Sequence, residues 1–265
     1  QGRPVALIGH SAHCLHTRKE RERGSLIHPR RMPRDTVRHR SSRLAPMALL
    51  YVCVRPQQGA AAAEYESFRT AARVSEAELD RHDLVRAPMP RLDDYDAVFV
   101  GGSPFNVTDP ESTKTDAQRR LEADLARLAV AAADGEGPAV LFTCYGIGIA
   151  TRALGGEVSR AFPEDTGPTA VAVTPEGRED AVFGGLASRF FALTAHKEGS
   201  REVPPGAVLL ATNDGCPVQA YRVGDRLYAT QFHPEPTTAA FTERMAVYRD
   251  DGYFESRDYD TVAGR

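Results

Sequence analysis

From residue 47 onward, apolar and polar positions fall into short blocks that switch between two periods. Ala48–Val54 is an apolar run of strand length, and Ala60–Ala72 carries good helix formers with apolar residues at helical spacing. Glu78–Val85 reads as a second strand that runs into the turn-rich Ala87-Pro88-Met89-Pro90, and Ala97–Val100 reads as a third, closed by Gly101-Gly102. Asp116–Ala133 carries the strongest helical pattern, with Leu121, Leu125, Leu128 and Ala132 recurring at i, i+4, i+7 and i+11. Gly135-Glu136-Gly137-Pro138 stops that helix, and Ala139–Leu141 is the next strand.

The second half changes character. Val171–Val173, Arg189–Leu193, Ala207–Ala211, Pro217–Tyr221 and Leu227–Thr230 are short strands separated by turns, and a helix over Thr238–Tyr248 follows. Alternating strands and helices, followed by a strand-rich segment, predict an α/β fold. Its sheet is mainly parallel, with helices on both faces and an antiparallel extension. No internal repeat of solenoid period is visible.

Residues 1–46 break the pattern. They are rich in Arg, His, Ser and Pro, and they hold 11 Lys/Arg against 3 Asp/Glu while the remainder holds 22 against 33. The near-neutral total therefore hides a basic tail on an acidic body. Such a tail buries too little apolar surface to offset its ordering entropy. It reads as a disordered extension, as sequence lying upstream of a start at Met47, as an organelle transit peptide, or as a nucleic-acid arm supported by charge alone. Residues 47–265 then form one α/β domain, which the length of 265 residues suits. The longest apolar run, Met47 to Val54, is far short of the roughly 18 residues of a membrane span, so no membrane partner is expected.

The four cysteines, Cys14, Cys53, Cys144 and Cys216, show no CxxC spacing, so neither a metal site nor a dithiol motif is indicated. With no secretory signal evident, a cytoplasmic protein with reduced thiols is expected. Cys53 lies in a strand and reads as a core residue; Cys216 follows the turn Asn213-Asp214-Gly215. Cys144 has a different setting. It follows the strand Ala139–Leu141 and Phe142-Thr143 at a tight strand-to-helix turn, Cys144-Tyr145-Gly146, and Ile147-Gly148-Ile149-Ala150 can begin the helix. Such an elbow presents a nucleophile at its tip and aims the free N–H groups of the helix at the same spot, where they can hold an oxyanion and favour thiolate over thiol. The plain alternative is a buried cysteine at a strand end.

Gln231-Phe232-His233-Pro234-Glu235 follows the strand Leu227–Thr230. His233 can serve as general base to Cys144, with Glu235 orienting the imidazole. Each alone is an ordinary loop residue; both lie at a strand end, where open α/β sheets carry their functional groups. Gly101-Gly102-Ser103-Pro104, at the end of the strand Ala97–Val100, can supply a backbone N–H to complete an oxyanion hole with Tyr145; the plain alternative is a simple turn.

These three segments, in this order, resemble the class I (triad) glutamine amidotransferases, and the His-Pro-Glu segment is similar to that of the GMP synthase glutaminase. The resemblance runs from about Met47 to Tyr248. It implies a flavodoxin-like α/β sandwich that hydrolyses the glutamine side-chain amide through a γ-glutamyl thioester and releases ammonia. It also implies Cys144 as nucleophile, His233 as base, Glu235 as orienter, and Tyr145 with Gly102, or else Gly101, as oxyanion donors. His196, in Thr194-Ala195-His196-Lys197-Glu198, falls where related proteins carry a substrate-side loop.

Two positions depart from the family. Phe142 replaces the usual Gly two residues before the nucleophile, and Gly148 replaces a frequent Gln four residues after it. The substrate is then glutamine or another γ-glutamyl compound, and a γ-glutamyl hydrolase or a weakly catalytic binding protein are the alternatives. With no Walker A and no GxGxxG, no nucleotide cofactor is expected. Any use of the ammonia then falls to a separate synthetase subunit. No nucleic-acid partner is expected.

Overall fold

The computed structural model describes residues 47–248. The basic tail with Cys14 and five of the eight histidines lies outside the described residues, as does the stretch from 249 to 265.

The first strand, β1 (Leu49–Cys53), alternates its side chains between two cores. Leu49, Tyr51 and Cys53 face one cluster of buried apolar residues, and Leu50 and Val52 face another. This is the period-2 consequence of a pleated strand covered on both sides. On the first face lies α1 (Gln58–Ala72), which buries Ala61, Tyr65 and Phe68. Phe68 stacks on Phe99 with centroids 5.5 Å apart and tilts against Tyr51 at 5.3 Å.

On the opposite face lies α2 (Asp116–Ala133), whose Leu121, Leu125, Leu128 and Ala132 are buried as the periodicity predicts. Thr115 caps it by accepting from the Gln118 N–H at 3.1 Å. α3 (Tyr145–Ala153) packs beside α2 on this face. The last described helix, α5 (Thr238–Ala246), packs against α1. Between these elements run β2 (Leu79–Asp83), β3 (Ala97–Val100) and β4 (Ala139–Thr143). They are followed by β5 (Glu164–Val173), the short α4 (Pro175–Glu179), β6 (Arg189–His196), β7 (Val208–Thr212), β8 (Ala220–Val223) and β9 (Leu227–Thr230).

The strands form one nine-stranded sheet in the order β2-β1-β3-β4-β9-β8-β7-β5-β6. The first five are mutually parallel, and the rest join antiparallel. This is the expected α/β layering with an antiparallel extension. β3, α2 and β9 coincide with the sequence pattern.

Other boundaries move for physical reasons. β5 reaches back from Val171–Val173 to Glu164 through Gly167-Pro168, because that stretch pairs with the edge strand β6 across a register shift. β8 begins three residues later than Pro217. Pro217 cannot donate to the ladder, and the pairing of β8 ends at Ala220 opposite Ala211, where β7 carries Leu210 as an extra residue. The helix after Cys144 begins at once, at Tyr145, and the last helix stops at Ala246, two residues before Tyr248.

Replacing Phe68 by Ala opens a cavity between α1 and the sheet and is expected to cost about 3–5 kcal/mol in urea unfolding. Phe191→Ala, at a position 73% exposed on the edge strand, is expected to cost less than about 0.5 kcal/mol.

Candidate active site

The parallel pairing of β3, β4 and β9 brings their C-terminal ends together. β4 and β9 pair with Thr143 opposite Thr230, and the Cys144 N–H donates to the Thr230 carbonyl at 2.8 Å. Cys144 itself has φ 50° and ψ −103°, a conformation that a residue with a Cβ rarely adopts. The strand thus reverses into α3 within one residue, and the first N–H groups of α3 face the tip of the turn. Gly146 sits beneath it, where a Cβ would lie 3.0 Å from the Phe142 ring and push that ring by a few tenths of an ångström. Phe142 is buried in the α2-side core, which is how a bulky residue is accommodated two positions before the turn.

After β9 the chain is held by two hydrogen bonds. Thr230 Oγ1 donates to the Phe232 carbonyl at 2.9 Å, and the His233 N–H donates to the Leu193 carbonyl at 2.8 Å. These turn the His233 ring between Phe241, at 5.7 Å centroid separation, and Gly102. A Cβ on Gly102 would lie 2.8 Å from the imidazole, so the glycine is needed for this close approach. His233 Nδ1 lies 2.9 Å from Glu235 Oε1, which makes Nδ1 the protonated nitrogen and leaves Nε2 for another partner. Cys144 is close enough to the ring to stabilise its charged form, and its sulfur lies 3.8 Å from the Ala195 carbonyl.

Burial alone would lower the imidazole pKa, but the Glu235 carboxylate and then Cys144 outweigh it and raise it to about 9. Burial pushes the Glu235 carboxyl up, yet the His233 and Arg244 charges hold it below the usual carboxylate range.

Cys144 lies on a cleft lined in part by Ser103, Tyr145, Gly148, His196 and Glu198. The carboxylate of Glu198 is buried and accepts from the Val107 and Thr108 N–H groups at 2.8 and 3.0 Å. A Cβ on Gly148 would meet Val107 at 3.2 Å and Glu198 at 3.5 Å, so these two residues close off the space beside that glycine. His196 is clamped by both ring nitrogens, to the Glu198 carbonyl at 2.8 Å and to Glu164 at 2.7 Å.

A family model described as glutamine amidotransferase class-I matches residues 65–247, most of the described chain. The chain belongs to this family. It is 37% identical over 99 residues to a glutamine-hydrolysing GMP synthase of Aeropyrum pernix, a stretch covering 37% of this chain and 19% of that protein. It is 36% identical over 97 residues to one subunit of a glutamine-hydrolysing GMP synthase of Methanocaldococcus jannaschii, covering 36% of this chain and half of that one. A glutamine amidotransferase structure from Thermotoga maritima superposes with a TM-score of 0.63 at 17% identity, over 83% of this chain and 95% of the other. A structure described as a GMP synthase subunit from Thermoplasma acidophilum does so at 0.55 and 23% identity, over 78% and 98%. The fold is that flavodoxin-like amidotransferase architecture.

Among the sequence candidates in this amidotransferase domain, Cys144, His233 and Glu235 are brought into one chain of contacts, with Tyr145 at the first turn of α3 and His196 on the cleft wall. The two glycines are placed differently. The Gly101 N–H donates to the Val52 carbonyl at 3.1 Å and the Gly102 N–H to Glu64 Oε1 at 3.1 Å, whereas Ser103 lines the cleft.

Sequence reasoning missed a buried ionic group behind the imidazole. Arg244 Nη1 donates to Glu235 Oε1 at 2.7 Å and to Glu64 Oε1 at 3.2 Å, and Glu64 also pairs with Arg55 at 2.8 Å. A signal existed in each helix. Arg244 shares a face with the apolar Phe241, Met245 and Tyr248, and Glu64 sits among Ala60, Ala61, Tyr65 and Phe68. Potential ligand atoms of Glu64, His233 and Glu235 lie within 4.8 Å of one another, but the Arg244 guanidinium bonds both carboxylates and supplies the positive charge that a metal ion would bring there.

The raised His233 pKa makes stability depend on pH with a defined sign. Its contribution is fully present below the ordinary histidine value near 6.5 and is lost as pH rises through about 9. Urea unfolding is expected to show wild-type stability declining across that window, and the decline is expected to be absent from His233→Gln.

Proposed function

We propose that this chain hydrolyses the side-chain amide of glutamine, with Cys144 as nucleophile, His233 as general base and acid, and Glu235 as the group that orients the ring. The observation that carries this reading is the Cys144 thiol at the tip of a positive-φ turn, beside an imidazole whose Nδ1 is held 2.9 Å from a buried carboxylate.

The imidazole, whose raised pKa keeps it charged at neutral pH, already holds the proton taken from Cys144 as the sulfur attacks the amide carbon. The carbonyl oxygen becomes an oxyanion, which the Tyr145 N–H at the start of α3 stabilises together with the loop after β3. In that loop Ser103 is the better candidate donor, since the N–H groups of Gly101 and Gly102 are directed to Val52 and Glu64. Collapse of the intermediate breaks the C–N bond; the imidazolium returns its proton to the nitrogen and ammonia leaves. A water molecule, deprotonated by the same imidazole, then attacks the γ-glutamyl thioester and releases glutamate and free thiol.

The M. jannaschii relative is one subunit of a GMP synthase. In keeping with that, the ammonia is handed to an acceptor enzyme on another chain. A second reading, hydrolysis of a γ-glutamyl conjugate, draws on Gly148. Val107 and Glu198 crowd the position where many family members place a glutamine, so contacts to the amino-acid end of the substrate differ here.

Purified protein is expected to release ammonia from glutamine, and Cys144→Ser to abolish release while the melting temperature changes little. No ammonia from glutamine, with cleavage of a γ-glutamyl peptide, would select the second reading. Gly102→Ala is expected to push the imidazole off its position and lower kcat about 10–100-fold with KM nearly unchanged, measured in the same assay.

A further inference from the structure

The triad carboxylate does not stand alone. Glu235 makes its polar contacts through one oxygen, Oε1, which receives both His233 Nδ1 at 2.9 Å and Arg244 Nη1 at 2.7 Å; Oε2 is buried and has no partner among the described residues. Arg244 Nη1 also lies 3.5 Å from His233 Nδ1. The guanidinium and the imidazole therefore share one carboxylate oxygen.

Behind it, Glu64 accepts from Arg244, from Arg55 and from the Tyr51 hydroxyl at 2.7 Å, and it takes the Gly102 N–H. All four charged side chains are buried. Two cations and two anions cancel, and the Cys144–His233 pair is left to balance its own charge.

We propose that Arg244 and Glu64 are positioning residues whose opposed buried charges set the pH at which His233 gains and loses its proton. This rests on reading His233 as the general base. In a site of low dielectric, deleting one charge of four leaves an uncompensated charge within a few ångströms, and the nearest titrating group takes it up.

The groups facing the imidazole can be named. Cys144 approaches from the turn after β4, Glu235 from the ring's own segment and Arg244 from α5. Glu64 of α1 and Arg55, after β1, stand one contact behind. Tyr51 of β1 bonds Glu64, and Tyr248 accepts from Arg55 at 2.8 Å; Ser67 accepts from Arg244 at 3.1 Å. On the cleft side, His196, Lys197 and Glu198 line the opening beyond the sulfur.

The sign differs between the two residues. Removing Arg244 leaves a net negative charge, which favours the imidazolium and raises the His233 titration. Removing the Glu64 charge leaves a net positive one and lowers it.

The test is a nitrogen-15 histidine NMR titration of the full chain, with the His233 signal assigned by its loss in His233→Gln. Arg244→Met is expected to move the His233 inflection up by about one pH unit and Glu64→Gln to move it down by about one. Arg244→Lys should leave it close to wild type, and the double variant Glu64→Gln/Arg244→Met should return it there. An inflection unmoved in Glu64→Gln overturns the proposal, and so does a Glu64→Gln chain that does not fold, since that assigns the pair to core support alone. If Arg244→Met does not fold, Glu64→Gln and Arg244→Lys decide the question.

The readout requires no substrate. Opposite shifts in a protein that releases no ammonia from glutamine would sink the proposed activity and leave this inference standing. Normal ammonia release with unmoved inflections would do the reverse.

Discussion

The parallel register of β4 and β9 is the constraint on which the site depends. Thr143 pairs with Thr230, so the two chains leave the sheet side by side, one into Cys144 and the other toward His233. The hydrogen bond from the Cys144 N–H to the Thr230 carbonyl extends that pairing by one step, to the residue where β4 reverses into α3. A slip of one residue would send the flanking side chains to the opposite face. Both faces are packed, Phe142 on the α2 side and Tyr228 on the α1 side, and this double burial prevents the slip. The positive φ of Cys144 is a local strain that such a rigid frame can hold.

A second constraint is electrostatic. Burying Glu64, Arg55, Arg244 and Glu235 together costs several kcal/mol per ion in lost hydration, and only close pairing offsets that cost. The pairing ties α1, the segment after β1, α5 and the segment after β9 to one another through contacts of 2.7–3.2 Å. Glu64 also accepts the Gly102 N–H, so one carboxylate links the loop after β3 to the buried ionic group. α5 therefore does more than cover the sheet. Its Arg244 bonds the Glu235 carboxylate that holds His233 Nδ1, and its Phe241 packs on the ring itself.

The cleft follows from how the antiparallel half joins the parallel one. β6 ends at His196, whose ring is clamped between Glu164 of β5 and the Glu198 carbonyl. Glu198 then reaches across to the N–H groups of Val107 and Thr108 in the long connection after β3. The wall opposite Cys144 is thus built from segments about 90 residues apart in the chain and held by charge-assisted bonds to backbone.

Much was legible in the chain because it is local. The 3.6-residue spacing of Leu121, Leu125 and Leu128, the apolar runs of β1 and β9, and the Cys-Tyr-Gly and His-Pro-Glu segments each depend on a few neighbouring residues. Period and turn chemistry are properties of such short stretches. The three strands nearest the site were read as strands for the same reason. β5 was read only at its last three residues, because Gly167-Pro168 carries turn chemistry that pairing with β6 overrides. The ionic group behind His233 left only a charge on an apolar helical face, at Glu64 and Arg244, and no local rule names the partner of such a charge. That partner lies 180 residues away for Glu64 and Arg244. The direction of the Gly102 N–H was equally invisible, since a side chain from α1 decides it. The sequence by itself determined which segments become strands and helices and which residue types stand at their ends. Only the tertiary structure decided which charges meet, because burial makes an unpaired ion costly, and packing α1 and α5 together brings these four within reach of one another.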